Sequence, residues 1–337
     1  MAEPWTEECS IMKKIGIINK IIAFSNVDGP GNRTAVFFQG CNLKCLYCHN
    51  PETIHFCVGC GACLAVCPTG ALEGGHGGRV GHGDGSFCPT FAKVGQKEPS
   101  PCPTTKSQPY SITWYPSRCV SCDACIKACP YLASPKTRRM SAEELLTEIK
   151  KTAPYINGVS FSGGECTLQR AFLVEVIPLI RELGLGVLLD SNGTYDFEKD
   201  PELLEMIDGV MLDIKAVDPD FCRTLTGAGP EMPIKNLKYL QSVGKLTEVR
   251  TVLLPEGSGS VTGEGDLHPP NSMNELTVRT VAAVLSPSIP YKLLRYRPFG
   301  VRQEGIDIIG NTITEESAAE ALAALARSLG AENCRVV

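Results

Sequence analysis

The chain has 337 residues and 17 cysteines, with 43% hydrophobic and 20% charged residues. That is enough for one large domain with a real core, alone or with a small insert. With 32 basic and 37 acidic side chains the net charge is −5, so no overall basic field points to nucleic acid or an anionic membrane. No run of about 18 apolar residues marks a membrane span. The acidic start, MAEPWTEECS, lacks the layout of a secretory signal. The expected setting is the cytoplasm, where so many cysteines are metal ligands rather than disulfides.

Residues 1–14 are expected to be a flexible N-terminus. The first clear element is an apolar run, AVFFQ, leading directly into GCNLKCLYCHNP. It reads as a strand with the cysteines on the loop at its C-terminal end. Cys41, Cys45 and Cys48 form C-x3-C-x2-C with no fourth cysteine at ligand spacing. Three thiolates on a four-iron cluster leave one iron without a protein ligand, and an open position means chemistry rather than scaffold. A zinc site completed by His49 is the alternative.

Next come two copies of one pattern. CVGCGACLAVCP (57–68) and CVSCDACIKACP (119–130) are both C-x2-C-x2-C-x3-C-P, the run of two-cluster ferredoxins, whose fourth cysteine serves the other cluster. This assigns Cys57, Cys60, Cys63 and Cys129 to one 4Fe–4S cluster, and Cys119, Cys122, Cys125 and Cys67 to the other. Each fourth cysteine is expected on a short helix, and structural zinc is again the alternative. Residues 68–118, rich in Gly, Pro, Ser and Thr, are expected to be largely a mobile surface loop. Its His76, His82, Cys88 and Cys102 read as ordinary loop residues, and Cys9, Cys166, Cys222 and Cys334 as ordinary thiols.

After the insert, SAEELLTEIKK opens with a capping box, Ser141 and Glu144. Strand-like runs then alternate with amphipathic helical ones: GVSFSGGE, LQRAFLVEVIPLIREL, GVLLDSNG, GVMLDIK, LTEVRTVLLP, a helix near 274–286, YKLLRYRPFG and EESAAEALAALARSL. With the first strand this gives about six β/α units. The fold class is α/β, an open or partial (β/α)6 barrel. The division is 15–50 and 136–337 for the barrel and 51–135 for the insert. Polar residues recur at strand C-termini (Ser162–Glu165, Asp190–Asn192, Asp213–Lys215, Arg250 and Arg297) and should meet at one mouth.

C-x3-C-x2-C with Tyr47 before its last cysteine resembles the S-adenosylmethionine (SAM) motif of the radical SAM superfamily. DGPGNR at 28–33 followed by FFQGCNLKCLYCHN resembles the glycyl-radical-enzyme activases. The inserted two-cluster module narrows the likeness to the YjjW-type activases, over about residues 15–330. The resemblance implies a TIM-like partial barrel with an inserted ferredoxin-like domain. It implies three 4Fe–4S clusters, with SAM bound near Tyr47, Cys48, His49, Gly163, Gly164, Glu165, Asp190, Ser191, Asn192, Asp213, Ile214, Lys215, Arg250 and Arg297. Asp190, Ser191, Met211 and Asp213 match positions around a monovalent cation in that family. Arg297 stands where the family has a cofactor-contacting histidine.

The implied chemistry is that of an oxidoreductase (EC 1.97.1.-). One electron cleaves the S–C5′ bond of SAM, and the 5′-deoxyadenosyl radical takes hydrogen from a glycine of a partner glycyl radical enzyme. The cofactor supplies the reactive step and the protein supplies orientation and exclusion of water. A flavodoxin or ferredoxin-like donor is the expected electron source. Two other readings are a radical SAM enzyme acting on a small molecule, and a ferredoxin-type electron-transfer protein, which leaves the third cysteine group and the barrel unexplained.

Overall fold

The computed structural model describes residues 14–75, 111–255 and 270–337. Cys9, His76, His82, Cys88 and Cys102, with residues 1–13, lie outside them. Strands β1 (Gly16–Ser25) and β2 (Arg33–Phe38) come first, then β3 (Leu72–Gly75), β4 (Ser111–Trp114), α1 (Ala124–Lys127) and β5 (Arg138–Met140). Next are α2 (Ala142–Lys150), β6 (Gly158–Gly163), α3 (Arg170–Arg181), β7 (Gly186–Ser191), α4 (Pro201–Met206) and β8 (Gly209–Asp213). Helices α5 (Pro219–Thr226) and α6 (Glu231–Ser242) precede β9 (Leu246–Leu253), α7 (Pro270–Ala282) and β10 (Tyr291–Arg295). The chain closes with α8 (Gln303–Ile309), α9 (Glu316–Ser328) and β11 (Cys334–Val336).

One sheet runs in the order β11-β10-β9-β8-β7-β6-β2-β1-β5. Every pairing from β2 to β11 is parallel. The strands β2, β6, β7, β8, β9 and β10 are each followed by helix before the next parallel strand, which is the six-unit α/β pattern expected. Three strands of this sheet were not foreseen. β1 and β5 extend the sheet antiparallel beyond β2, and β11 borders the other edge. β5 and β11 are three residues long, too short for periodicity to register.

Parallel strands covered on both faces must be apolar on both, and β6 is buried from Gly158 to Ser162. Phe38 of β2 stacks on Phe161 of β6 with centroids 5.6 Å apart and meets Phe172 of α3 edge-on at 5.9 Å. The capping box at α2 is present: Ser141 Oγ accepts from Glu144 N, and the Glu144 carboxylate accepts from Ser141 N. Asp200 and Asp218 cap α4 and α5 by accepting the N–H of Leu203 and of Phe221.

The reading of 68–118 as a loop needs correction at its two ends. β3 and β4 form an antiparallel pair with Leu72 opposite Trp114, and residues 76–110 lie outside the described residues. The pair forms because its apolar side completes a small core: Leu72 packs with Cys63 and Cys125, and Ile112 and Trp114 pack against them. The expected short helix also exists in only one half, where α1 ends just before Cys129. Before Cys67, residues 62–66 are turns. The insert is tied to the barrel through backbone bonds from Gly40 N to Thr53 O and Cys41 N to Ile54 O, and its two ends are joined by Ser134 N to Glu52 O.

Candidate active site

Parallel strands bring their C-terminal ends to one side of a sheet. Cys41 follows β2, Gly163–Glu165 end β6, Asp190 and Ser191 end β7, and Asp213 ends β8. Register aligns them further, with Asp190 opposite Met211 and Asp213 opposite Arg250. The cysteine loop is seated by Lys44 N on Thr226 O at 2.8 Å and Leu46 N on Leu225 O at 2.9 Å, both carbonyls belonging to the end of α5.

Glu165 is 1% exposed and is the mouth's internal tie. Its Oε1 accepts from Thr167 Oγ1 at 2.6 Å and Ser191 Oγ at 3.0 Å, and Oε2 accepts from Asn192 N at 2.8 Å. Burial still pushes its carboxyl up, against those bonds. Asn192 then reaches the cysteine loop, Nδ2 donating to Asn42 Oδ1 at 3.1 Å and lying 3.8 Å from Cys41 Sγ. The two glycines before Glu165 are required by close approach. A Cβ on Gly163, at φ +116°, would lie 2.2 Å from Phe38 N, and one on Gly164 would lie 2.0 Å from Gly40 O.

Charge is concentrated on β7–β10. Arg250 Nη1 meets Asp190 Oδ2 at 3.0 Å, its Nη2 lies 3.1 Å from Met211 Sδ, and its Nε meets Glu248 Oε1 at 2.5 Å. Glu248 also holds Lys292 Nζ at 2.7 Å. Burial opposes the Arg250 charge, but Asp190 and Glu248 outweigh it and keep the guanidinium ionised. Lys215 Nζ pairs with Asp213 Oδ2 at 2.5 Å and stands 5.7 Å from the Tyr47 ring centroid. Of the four residues matched to a cation site, Asp190 and Met211 face Arg250, Asp213 faces Lys215, and Ser191 turns to Glu165.

The cysteines fit iron–sulfur clusters. Burial raises the Cys41, Cys45 and Cys48 thiols, Cys45 to about 12 although Lys215 pulls it down. Such thiols ionise when a metal replaces the proton. In the insert, Cys57, Cys60, Cys63 and Cys129 line one concavity, and Cys67, Cys119, Cys122 and Cys125 line another. The crossed grouping is the one the repeat implies. The Tyr47 hydroxyl is buried without a partner, a polar group left for a ligand at the mouth.

Some expected residues stand apart. Ile214 has its side chain in the core, its N–H on Arg250 O at 2.9 Å and its carbonyl on Thr251 Oγ1 at 3.0 Å. Arg297 is exposed just past β10 and meets His49 Nε2 through its carbonyl at 2.8 Å, not through its guanidinium. Cys166, Cys222 and Cys334 are buried. Sequence reasoning missed Glu248, Lys292 and Arg302. Glu248 lies two residues from Arg250 on one strand and so shares its face, a signal that was available, whereas Lys292 and Arg302 arrive from distant segments.

The Radical SAM superfamily model matches residues 116–259, a 4Fe-4S dicluster domain matches 56–133, and a 4Fe-4S single cluster domain matches 27–64. The "Putative glycyl-radical enzyme activating enzyme" of Haemophilus influenzae is 25% identical over 93% of this chain and 93% of its own. The pyruvate formate-lyase-activating enzyme of Clostridium pasteurianum is 29% identical over 72% of this chain and 70% of its own. The 4-hydroxyphenylacetate decarboxylase activating enzyme of Clostridium scatologenes is 26% identical over 68% and 70%.

Proposed function

Since the chain is a radical SAM protein with ferredoxin-type 4Fe–4S domains, and its homologues are glycyl-radical-enzyme activating enzymes, we propose that Cys41, Cys45 and Cys48 hold the cluster at which it works. It is an oxidoreductase that activates a glycyl radical enzyme. When bound, the reduced cluster and SAM supply one-electron cleavage to methionine and a 5′-deoxyadenosyl radical, which takes hydrogen from the partner's glycine Cα.

What supports this assignment of residues is the meeting of the three-cysteine loop with Gly163–Glu165, Asp190, Lys215 and Arg250 at one mouth. Glu165 and Asn192 hold that loop against β7. Tyr47, with its free hydroxyl, and Lys215 stand beside Cys45 to orient the cofactor. Arg250 offers a fixed positive charge to a carboxylate, and Asp190 and Asp213 offer negative charge to an ammonium group. A buried wall limits water, as radical chemistry requires.

The finer parts of the reading are ours as well. Residues 15–50 and 136–337 form the catalytic unit, and 51–135 form the insert. The chain holds three clusters, the two insert clusters each having four thiolates and therefore no place for SAM. A flavodoxin or ferredoxin-like protein supplies electrons in an anaerobic cytoplasm. No helix among the described residues is long and apolar enough to cross a membrane. A monovalent cation beside Asp190, Ser191, Met211 and Asp213 would take the place of the Arg250 and Lys215 charges that these carboxylates hold here.

The test is anaerobic. The reconstituted chain should bind about twelve irons, four per cluster, cleave SAM with dithionite, and raise a glycyl radical signal on its partner by electron paramagnetic resonance. Replacing Cys41, Cys45 and Cys48 together by Ala should remove about four irons and all cleavage. Cleavage surviving in that variant would sink the assignment.

A further inference from the structure

The segment after β10 lies across the cysteine loop. His49 Nε2 is 2.8 Å from Arg297 O. The start of α8 packs so closely that a Cβ on Gly305 would lie 1.9 Å from Leu46 O. Between these two contacts sits Arg302. Its Nη2 donates to Lys44 O at 3.0 Å and Cys45 O at 3.3 Å. Its Nη1 lies 3.4 Å from Glu304, whose side chain is 64% exposed, while Arg302 itself is 15% exposed. Arg302 Nε is buried and has no partner. The guanidinium thus spends two bonds on the backbone between Cys41 and Cys48, and keeps one donor unused at the same place.

Three facts set this arginine apart from an ordinary surface cation. Exposed ion pairs hold little energy, and its partner Glu304 is such a group. A buried donor without an acceptor costs about 1–3 kcal/mol, and the Arg302 Nε–H is such a donor beside the cysteine loop. Its guanidinium also lies on the carbonyl of Cys45, inside the three-cysteine loop. Hydrogen bonds and charge next to cluster sulfurs are among the levers a protein has over reduction potential.

We propose that Arg302 is a positioning residue for the three-cysteine cluster site, its fork fixing the Lys44–Cys48 turn and its charge favouring the reduced, more negative state of a cluster held there. The inference rests on the reading of Cys41, Cys45 and Cys48 as the SAM-binding cluster site. Sequence patterns do not mark it, because the arginine is more than 250 residues from the loop it braces.

The test uses the full chain, reconstituted with all clusters, and reads the electron paramagnetic resonance signal that changes on adding SAM, so that the insert clusters do not contribute. If wild-type protein shows no SAM-responsive signal, the cluster-site reading itself fails. If it does, Arg302→Gln should lower that signal severalfold and move its reduction midpoint to a more negative value. Arg302→Lys keeps the charge and loses the fork, so occupancy should fall while the midpoint stays near that of wild type. A brace without electrostatic effect would lower occupancy in both variants and leave both midpoints unchanged, and that outcome overturns the proposal. So do wild-type occupancy and midpoint in both. If Arg302→Gln does not fold, as judged by circular dichroism, Arg302→Met takes its place with the same expected loss of signal and more negative midpoint, and an unchanged midpoint in it overturns the proposal.

Discussion

The carboxylate of Glu165 accepts the backbone N–H of Asn192 at 2.8 Å, joining the end of β6 to the end of β7. Asn192 in turn stands 3.8 Å from Cys41 Sγ. A residue that sequence pattern assigns to the cofactor is thus also the brace of the cysteine loop. Ser191 Oγ and Thr167 Oγ1 complete its environment.

Glu165→Ala should therefore cost stability as well as cofactor affinity. It leaves several buried donors without an acceptor, a loss of about 2–4 kcal/mol. Glu165→Gln keeps the shape and should recover part of it. Urea denaturation of both variants measures this, and an unchanged midpoint in Glu165→Ala would show that the brace is idle.

Gly164→Ala drives a methyl group into a carbonyl that cannot rotate away, since the clash at 2.0 Å is with Gly40 backbone. The expected cost is about 1–3 kcal/mol, together with weakened SAM binding as Cys41 shifts. Gly75→Ala, where nothing among the described residues lies within 4 Å, is the control and should behave as wild type. Equal effects at the two positions would contradict the close-approach argument.

The crossed grouping of cysteines in the insert makes an iron count diagnostic. Replacing Cys57 and Cys129 together should remove one cluster, about four irons, whereas replacing Cys57 and Cys119 should remove two, about eight. Iron and sulfide analysis after anaerobic reconstitution distinguishes them. A loss of about eight irons in both double variants would mean that each C-x2-C-x2-C-x3-C run serves a single cluster.

A pH effect is expected away from the mouth. Arg170 binds Asp200 through Nε at 2.6 Å and Nη2 at 2.7 Å, and this holds the Asp200 carboxyl down at about 2 despite burial. The folded pKa is lower than the unfolded one, so the ion pair stabilises fully above the unfolded value and is lost as pH falls towards 2. Allowing for the partly exposed arginine, Asp200→Asn should cost about 1–2 kcal/mol. By the same linkage, the gap from wild type should be constant between about pH 8 and 5 and shrink only below about pH 4. Urea midpoints across that range would reveal a gap that varies near neutrality, against this account.

The sequence by itself determined the chemistry. Cysteine spacing is local and covalently set, so C-x3-C-x2-C and the paired C-x2-C-x2-C-x3-C runs read as iron–sulfur motifs before folding. Strand and helix alternation is likewise written in short windows, and it was enough for the six β/α units and their shared mouth. What only the tertiary structure decided depends on segments far apart in the chain. β1 and β5 joined the sheet because their partners could satisfy them, not through any period of their own. β3 and β4 condensed from a polar stretch because Leu72 and Trp114 found Cys63 and Cys125. The pairing of Glu248 with Lys292, and the clamp of Arg302 on Lys44 and Cys45, required β10 and the segment after it to arrive beside residues that no local pattern relates to them. Ligand identity is a property of spacing, whereas the charge and bracing around the ligands are properties of packing.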